Sequence, residues 1–289
     1  MSDEGVSQQA SFQFPKAGLS ITSEVTGNTY VIGNVIGEGG FGVVFECEDV
    51  WRNKLVAKIL KPRPQDKDSD ESAVDELNKL LHVRHPNITH VFDAFKCEDV
   101  CYIISERCNR TLSDMMFEPN FDGKVWCLPL ARCLLQAVHF AHVQRLIHCD
   151  IHAGNVLMRF IPDELLPEKH NAITFKLGDF GLAKAFGALD ANGTFLDSIR
   201  PPEAINVEEY GPIDHRVDIY HVGLLLLQLQ LGKPISFTRE EILGGAPREL
   251  ALKLDAPYSF ALEKALRRHV IYRTASALEL WRDLNSMAA

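Results

Sequence analysis

The sequence has fewer basic than acidic residues. Its 289 residues include 30 lysines and arginines against 39 aspartates and glutamates, which gives a net charge of −9 at pH 7. Proteins that bind nucleic acid need a basic surface for the phosphate backbone, so the charge balance argues against a nucleic-acid partner.

Long apolar runs are also missing. The most apolar segment, 222–231, contains Gly223 and two glutamines and is about half as long as a membrane span. The first twenty residues lack the basic start and apolar stretch of a secretory signal, and Met1-Ser2 does not fit the myristoylation pattern. We therefore expect no membrane partner and a cytoplasmic location.

The cysteines do not form a metal-binding or disulfide pattern. There are seven of them, an odd number, with no C-x-x-C pair and no histidine pair at zinc spacing. Free thiols in a reducing compartment are the simplest interpretation, which agrees with a cytoplasmic location.

The chain has a strand-rich front and a helix-rich back. Residues 1–28 show no sustained period and predict a mobile arm or an edge segment. Alternating β-branched residues predict strands over 30–44, 54–60, 90–95 and 100–105, and spacing of three and four predicts a helix over 73–83. Helical periodicity follows over 111–116 and 128–143, short strands over 156–159 and 174–177, and helices beyond Pro212. The change of character falls near 108–110.

A glycine-rich segment lies within the first strand-like stretch. It reads G-x-G-x-x-G-x-V over Gly37, Gly39, Gly42 and Val44, with Gly40 as a fourth glycine. Glycine leaves backbone N–H groups open to phosphate oxygens, so the pattern is typical of phosphate-binding loops. A Rossmann turn needs a helix directly afterwards, whereas the residues here favour a strand. Taken alone, the segment also fits a hairpin without a ligand.

A lysine within an apolar strand is the second motif. Lys58 lies fourteen residues after Val44, between Ala57 and Ile59. A lysine in such a strand needs an anionic partner, and a phosphate together with a carboxylate would satisfy it. Glu76, on the apolar stripe of the next predicted helix, is the candidate carboxylate, although a solvated helix glutamate is the simpler interpretation of that residue alone.

The third motif combines two aspartates and an amide on separate loops. Asp150 and Asn155 have the spacing H-x-D-x-x-x-x-N, and Asp179 follows in Asp-Phe-Gly after two short strands. Phosphoryl transfer needs a carboxylate to take the proton of the acceptor hydroxyl and oxygen ligands to hold Mg²⁺ against nucleotide phosphates. The order of all three motifs makes a chance match rare.

Together these motifs resemble those of the protein kinase superfamily, over about residues 30–284. The resemblance implies an α+β, two-lobed protein-kinase-like fold. It has an N-lobe of small antiparallel β-sheet with one helix at about 29–107 and a mainly α-helical C-lobe at about 109–286. It also implies ATP and Mg²⁺ as cofactors and transfer of the γ-phosphate to serine or threonine hydroxyls of protein substrates.

The resemblance also assigns the site. The implied catalytic residues are Asp150, Lys58, Glu76 and His152, and the implied metal ligands are Asn155 and Asp179. The implied ATP-binding residues are Gly37, Gly39, Gly40, Gly42, Val44, Ala57, Lys58, Glu106 and Cys108. Weaker landmarks agree: Pro201-Pro202-Glu203 resembles the A-P-E motif, and Arg273 is placed to pair with Glu203.

Two positions depart from the usual family pattern. Cys149 replaces the arginine of H-R-D, which in many kinases meets a phosphorylated activation segment, so we expect activity that does not require activation-loop phosphorylation. Thr194 and Ser198 are either autophosphorylation sites or ordinary loop hydroxyls. His152 replaces the lysine common in serine/threonine kinases and makes the loop resemble that of aminoglycoside and choline phosphotransferases. A small-molecule phosphotransferase and an ATP-binding scaffold without turnover are therefore the alternatives.

Overall fold

The computed structural model describes residues 14–39, 42–61, 81–98, 100–163, 165, 170–180, 183–187, 189 and 195–286. The chain divides into two compact units. The first, which we call the sheet unit, comprises Met1–His82 and His90–Arg107, and the second, the helical unit, comprises Val83–Thr89 and Cys108–Ala289. No helix among the described residues is long and apolar enough to cross a membrane.

Six antiparallel strands form the sheet unit. They are β1 (Ser20–Thr22), β2 (Thr29–Glu38), β3 (Gly42–Asp49), β4 (Lys54–Leu60), β5 (Val91–Cys97) and β6 (Val100–Glu106), in the spatial order β1-β2-β3-β4-β6-β5. The predicted strands over 54–60, 90–95 and 100–105 are confirmed. The stretch 30–44 belongs to two antiparallel strands, because β2 ends at Glu38 and β3 begins at Gly42.

One face of this sheet forms an apolar core. Along β3 and β4, alternate side chains such as Phe45, Ala57 and Ile59 are almost fully buried. The rings of Tyr30 and Tyr102 stack on either side of Phe95, with centroid distances of 6.1 and 5.4 Å. The two-residue period of a strand therefore separates a core-facing set from a second set that includes Lys58.

The helical unit begins with a short strand and a short helix. β7 (Arg110–Thr111) leads into α1 (Leu112–Met116), where the Thr111 hydroxyl and the Asp114 carboxylate cap each other's backbone N–H groups. The long α2 (Gly123–Val143) begins at Asp122, whose carboxylate accepts from the Lys124 N–H at 3.0 Å. Next come β8 (Leu146–Ile147), the hairpin β9 (Val156–Asp163) and β10 (His170–Leu177), and β11 (Lys184–Ala185).

The rest of this unit consists mostly of short helices and one longer, largely buried helix. They are α3 (Pro202–Ile205), α4 (Val207–Tyr210), α5 (Arg216–Leu231), α6 (Arg239–Gly244), α7 (Ala246–Ala251), α8 (Tyr258–Ala265) and α9 (Ala277–Asn285), with a 3₁₀ turn at Val270–Tyr272. α5 is apolar and buried on nearly all sides, as expected for a central helix. It packs against α2, where a Cβ on Gly123 would lie 2.3 Å from the Leu229 carbonyl oxygen.

The predicted helix over 73–83 lies almost entirely outside the described residues. Its last three residues are described, and the first two of them form a turn. The predicted helices over 111–116 and 128–143 are confirmed, as are the helices beyond Pro212 with their breaks at Pro234, Gly244-Gly245 and Pro257.

Candidate active site

The glycine-rich segment joins β2 to β3 in the sheet unit. Gly37 pairs with Val44 across the two strands, and the Gly39 N–H donates to the Gly42 carbonyl at 2.9 Å. A Cβ on Gly42 would lie 2.3 Å from the Ile59 carbonyl oxygen, so close packing against β4 explains this glycine without a ligand. Gly40 lies outside the described residues.

Lys58 and Val44 occupy opposite positions on neighbouring strands, so their side chains share one face of the sheet. Lys58 is half-buried. Ala57, predicted to bind ATP, is 0% exposed and belongs to the apolar core on the other face of the sheet. Strand alternation puts Val56 on the face of Lys58 instead.

Glu106, the last residue of β6, forms hydrogen bonds to His90 through both its backbone and its side chain. Its carboxylate accepts from the His90 N–H at 2.7 Å, and its own N–H donates to the His90 carbonyl at 2.9 Å. Glu106 is buried, whereas Cys108, in the helical unit, is half-buried. Glu76, predicted to pair with Lys58, lies outside the described residues.

Asp150, predicted as a catalytic residue, and Asn155, predicted as a metal ligand, meet in the loop after β8. The Asn155 Nδ2 donates to the Asp150 Oδ2 at 2.9 Å and to the Asp150 carbonyl at 2.8 Å. Asp150 is buried, and its Oδ1 has no hydrogen-bond partner among the described residues. The two side chains predicted at this spacing are thus in direct contact.

Histidines set the charge state of Asp150. Burial alone would raise the pKa of this carboxyl, but nearby His152, which also hydrogen-bonds to it, and His148 lower it below its usual value. The Nε2 of His152 lies 3.6 Å from the Asp150 Oδ2. A Cβ on Gly154 would lie 2.9 Å from the His152 ring, so the glycine leaves room for the histidine. Asp150 is therefore ionised at neutral pH.

Asp218, at the start of α5, holds the loop in place. Its carboxylate accepts from the N–H groups of His148 and Cys149, both at 2.9 Å, and from the His142 Nε2 at 2.8 Å. Burial would raise its pKa, but His142 and His148 lower it. The sequence motifs assigned Asp218 no role in the site. The sequence signal for this role is an aspartate within an otherwise apolar helix, because a buried carboxylate needs hydrogen-bond donors nearby.

Hydrogen bonds connect this loop to the one that carries Asp179. The Gly178 N–H donates to the Asn155 carbonyl, and the His148 Nε2 donates to the Gly178 carbonyl, both at 2.8 Å. The His148 ring also contacts Phe180, with a centroid distance of 4.6 Å. Asp179 follows with φ of 55°, a left-handed conformation uncommon outside glycine. The helical unit therefore brings Asp150, Asn155 and Asp179 together through backbone contacts.

The oxygen donors on these loops fit a hard divalent cation. Both hydrogen bonds of the Asn155 amide use its nitrogen, which leaves the Oδ1 oxygen for a ligand. No group of three or more acidic, histidine or cysteine side chains suited to a metal occurs in the described part of the chain. One carboxylate and one amide suit Mg²⁺, which usually keeps water and phosphate oxygens as further ligands.

The predicted pair of Arg273 with Glu203 is confirmed. Two hydrogen bonds of 2.6 and 2.7 Å join the guanidinium and the carboxylate, and both side chains are 0% exposed. Arg273 also donates to the carbonyls of Arg216, Arg267 and Arg268. The pair connects α3, which contains Glu203, to the chain that follows the 3₁₀ turn at Val270–Tyr272.

Comparison with known sequences identifies the family. The protein kinase domain family matches residues 30–265, and the chain belongs to it. The antiparallel sheet and the helical unit are the N-lobe and C-lobe elements of that α+β fold, as predicted. Protein kinase domains generally use ATP with a divalent metal and act on proteins.

Several serine/threonine kinases are similar to this chain. Mouse (Mus musculus) serine/threonine-protein kinase PLK2 is 26% identical over 76% of this chain and 31% of its own length. Human (Homo sapiens) cyclin-dependent kinase-like 5 is 27% identical, over 77% of this chain and 23% of its own. Probable serine/threonine-protein kinase zyg-1 of Caenorhabditis briggsae is 30% identical, over 66% and 25%. The chain thus spans a third or less of the length of these relatives.

Proposed function

We propose that this chain is an active protein kinase that transfers the γ-phosphate of ATP to serine or threonine hydroxyls of proteins. The observation that carries the proposal is the hydrogen-bonded pair of Asp150 and Asn155, tied through Gly178 to Asp179. Family membership and the similarity to serine/threonine kinases support the same conclusion. A scaffold without turnover would have no need for this ionised, positioned carboxylate.

The sheet unit supplies the proposed nucleotide-binding residues. Lys58 binds the α- and β-phosphates, and Val44 with Val56 provides the apolar surface of the same face for adenine. The glycine backbone donates N–H groups to the phosphates, and Glu76 orients Lys58. Glu106 contributes backbone groups to adenine.

Asp150 acts on the acceptor side. Its ionised carboxylate accepts the proton of the substrate hydroxyl while the hydroxyl oxygen forms a bond to the γ-phosphorus. The bond from that phosphorus to the bridging oxygen breaks, and ADP leaves with the electron pair. His152, 3.6 Å from the Asp150 carboxylate, is proposed to stabilise the charge of the transferred group in place of the usual lysine.

Asn155 and Asp179 are the proposed Mg²⁺ ligands. Mg²⁺ bound there would neutralise the charge of the nucleotide phosphates. The hydrogen bonds from Asn155 to Asp150 fix the amide so that its oxygen is presented to the metal.

Apolar packing is proposed to replace phosphorylation as the anchor of the activation segment. We use the name activation segment for the residues between Asp179 and Glu203. Cys149 is buried in one apolar cluster with Phe195 of that segment, and Phe186 and Leu189 pack against it. Burial raises the pKa of the Cys149 thiol far above its usual value, so the side chain is neutral. A thiol here can hold the segment by contact but cannot bind a phosphate. Thr194 lies outside the described residues, and Ser198 is exposed.

The test is a transfer assay with Mg²⁺, γ-labelled ATP, generic protein acceptors and an aminoglycoside–choline panel, in parallel with Asp150→Asn. We expect label on serine or threonine of protein and a loss of at least about a thousandfold in turnover in the variant. Prior treatment of the chain with a phosphatase should leave the initial rate within about twofold.

Each alternative gives a different result. Label on small molecules alone would indicate the phosphotransferase suggested by His152, and ATP binding without transfer would indicate a scaffold. Equal turnover by Asp150→Asn would remove this residue from the mechanism. A rate that vanishes after phosphatase treatment would contradict the proposed role of the Cys149 cluster.

A further inference from the structure

A basic pocket lies in the helical unit, apart from the residues of the candidate active site. Arg248 of α7, Arg267, Arg268 and His269 after α8, and Tyr272 of the 3₁₀ turn line a cavity of about 260 Å³. This volume accommodates a phosphorylated side chain but is smaller than most pockets for drug-sized molecules. We call it the arginine pocket.

The arginine pocket keeps a net positive charge. Glu263, itself buried, pairs with Arg248 at 2.7 Å and with Arg267 at 3.0 Å. Burial alone would raise the pKa of Glu263, but the two guanidinium groups lower it, so the carboxylate stays charged. One negative charge therefore faces three positive ones.

Arg268 carries a positive charge that Glu263 does not neutralise, since Glu263 pairs with Arg248 and Arg267. It has no carboxylate partner among the described residues; its Nη1 donates to the neutral Leu243 carbonyl at 2.5 Å. Its guanidinium carbon lies 6.0 Å from the Tyr210 ring centroid, and a Cβ on Gly245 would lie 3.4 Å from its Nε. These contacts hold the side chain in place, so a charged group is positioned before any ligand binds.

Tyr272, which lines the pocket, and its chain neighbour Ile271 are both exposed, and we call this pair the rim. Tyr272 is 64% exposed, and the neighbouring Ile271 is 75% exposed. Aromatic and arginine side chains side by side are typical of the energetically important parts of protein-binding surfaces. A peptide could place a charged group in the pocket and an apolar residue against this rim.

We propose that the arginine pocket binds the phosphate group of a phosphorylated peptide. The dianionic phosphate forms charge-assisted hydrogen bonds to the guanidinium groups, with Arg268 as the main partner. The neighbouring apolar residue of the peptide packs on Ile271 and Tyr272. This site is independent of the proposed catalytic function, because none of its lining residues takes part in phosphoryl transfer.

The probe is a fluorescent peptide with phosphoserine followed by leucine, measured by anisotropy against the full chain without ATP. The comparison peptide has unmodified serine, and inorganic phosphate is the competitor. Arg268→Gln removes the charge but keeps much of the stem, and Arg239→Gln, an exposed arginine at the start of α6, is the matched control.

We expect the phosphopeptide to bind at least tenfold more tightly than the unmodified peptide. Arg268→Gln should weaken binding at least tenfold, and Arg239→Gln should leave it within about twofold. Millimolar phosphate should displace the phosphopeptide; if phosphate binds equally tightly, the rim plays no part and the peptide assignment is wrong.

Equal binding of both peptides, or equal effects of the two substitutions, would overturn the proposal. Arg248→Gln provides a second test if Arg268→Gln unfolds, as judged by circular dichroism. Arg267 still pairs with Glu263 in that variant. Loss of transfer activity in Asp150→Asn would not affect this binding, so the two proposals fail separately.

Discussion

At the scale of single residues, His221 is the clearest anomaly in the helical unit. It is 0% exposed, and neither ring nitrogen has a hydrogen-bond partner among the described residues. Burial lowers its pKa from 6.5 to about 4; Asp218 and Asp150 oppose the shift, and His148 and Arg273 add to it. The ring also lies near Phe195, with a centroid distance of 6.3 Å. His221 is therefore neutral in the folded chain at neutral pH.

This histidine predicts a loss of stability in mild acid. Below pH 6.5 the unfolded chain binds a proton at His221, whereas the folded chain binds this proton only near pH 4. The free energy of unfolding therefore falls across this window, by about 2 kcal/mol at pH 5 for this residue. Urea unfolding of His221→Leu at pH 7.5 and 5.0 should show a correspondingly smaller decrease than the parent chain.

The exposed His82 provides the control for this prediction. His82→Leu should keep the pH dependence of the parent chain, because that side chain is not buried. If His221→Leu and His82→Leu lose the same stability between the two pH values, buried His221 does not cause the acid sensitivity.

Single residues also show what the sequence could and could not predict. The spacing of Asp150 and Asn155 predicted both as site residues, and in the structure their side chains form a hydrogen bond. The sequence motif did not show that the side chain of Ala57 lies in the core, although neighbouring residues of a strand point to opposite faces and Ala57 is next to Lys58. Asp218 was missed as the support of the loop because its donors, at 142, 148 and 149, are distant in sequence.

At the scale of elements, the short α3 depends on tertiary contacts. It has four residues, too few for an isolated helix, and it follows a proline without a side-chain cap. The buried pair of Glu203 and Arg273 anchors it. Arg273→Met would leave a buried carboxylate without its partner, and we expect it to lower the free energy of unfolding by about 3–5 kcal/mol.

Chemical denaturation of matched variants tests the role of this pair. Arg110→Met breaks the more exposed pair with Glu118 and should cost less than about 1 kcal/mol. The double variant Glu203→Leu/Arg273→Met should recover part of the loss, because no unpaired charge remains. A loss for Arg273→Met no larger than that for Arg110→Met would contradict the anchoring role.

Elements with a strong period were easy to predict, whereas those fixed by tertiary contacts were not. The long α2 and the strands β4 to β6 follow their apolar patterns. The hairpin of β2 and β3 was predicted as one continuous stretch because β-branched residues continue on both sides of the glycines. The four-residue helices α3 and α4 are too short to show a period.

At the scale of the whole molecule, each unit has its own chemistry. The sheet unit contributes Lys58 and Val44 of the proposed nucleotide-binding set, and the helical unit contributes the proposed acceptor and metal residues. The acidic net charge of −9 argued against a nucleic-acid partner, yet the arginine pocket concentrates positive charge within the helical unit. Total charge cannot reveal such a pocket, because its arginines come together only on folding.

Binding of Mg²⁺–ATP should stabilise the whole chain. A ligand at 100 times its Kd raises the free energy of unfolding by about 2.7 kcal/mol, which corresponds to a rise of about 5 °C in Tm.

Asp150→Asn should keep this rise in Tm, because the residue acts on the acceptor. Lys58→Met should lose most of it, whereas Lys54→Met, at the exposed start of the same strand, should behave like the parent chain. Removal of the metal with a chelator should reduce the shift in the parent chain. Differential scanning fluorimetry measures all these variants together, and equal shifts for Lys58→Met and Lys54→Met would exclude Lys58 from nucleotide binding.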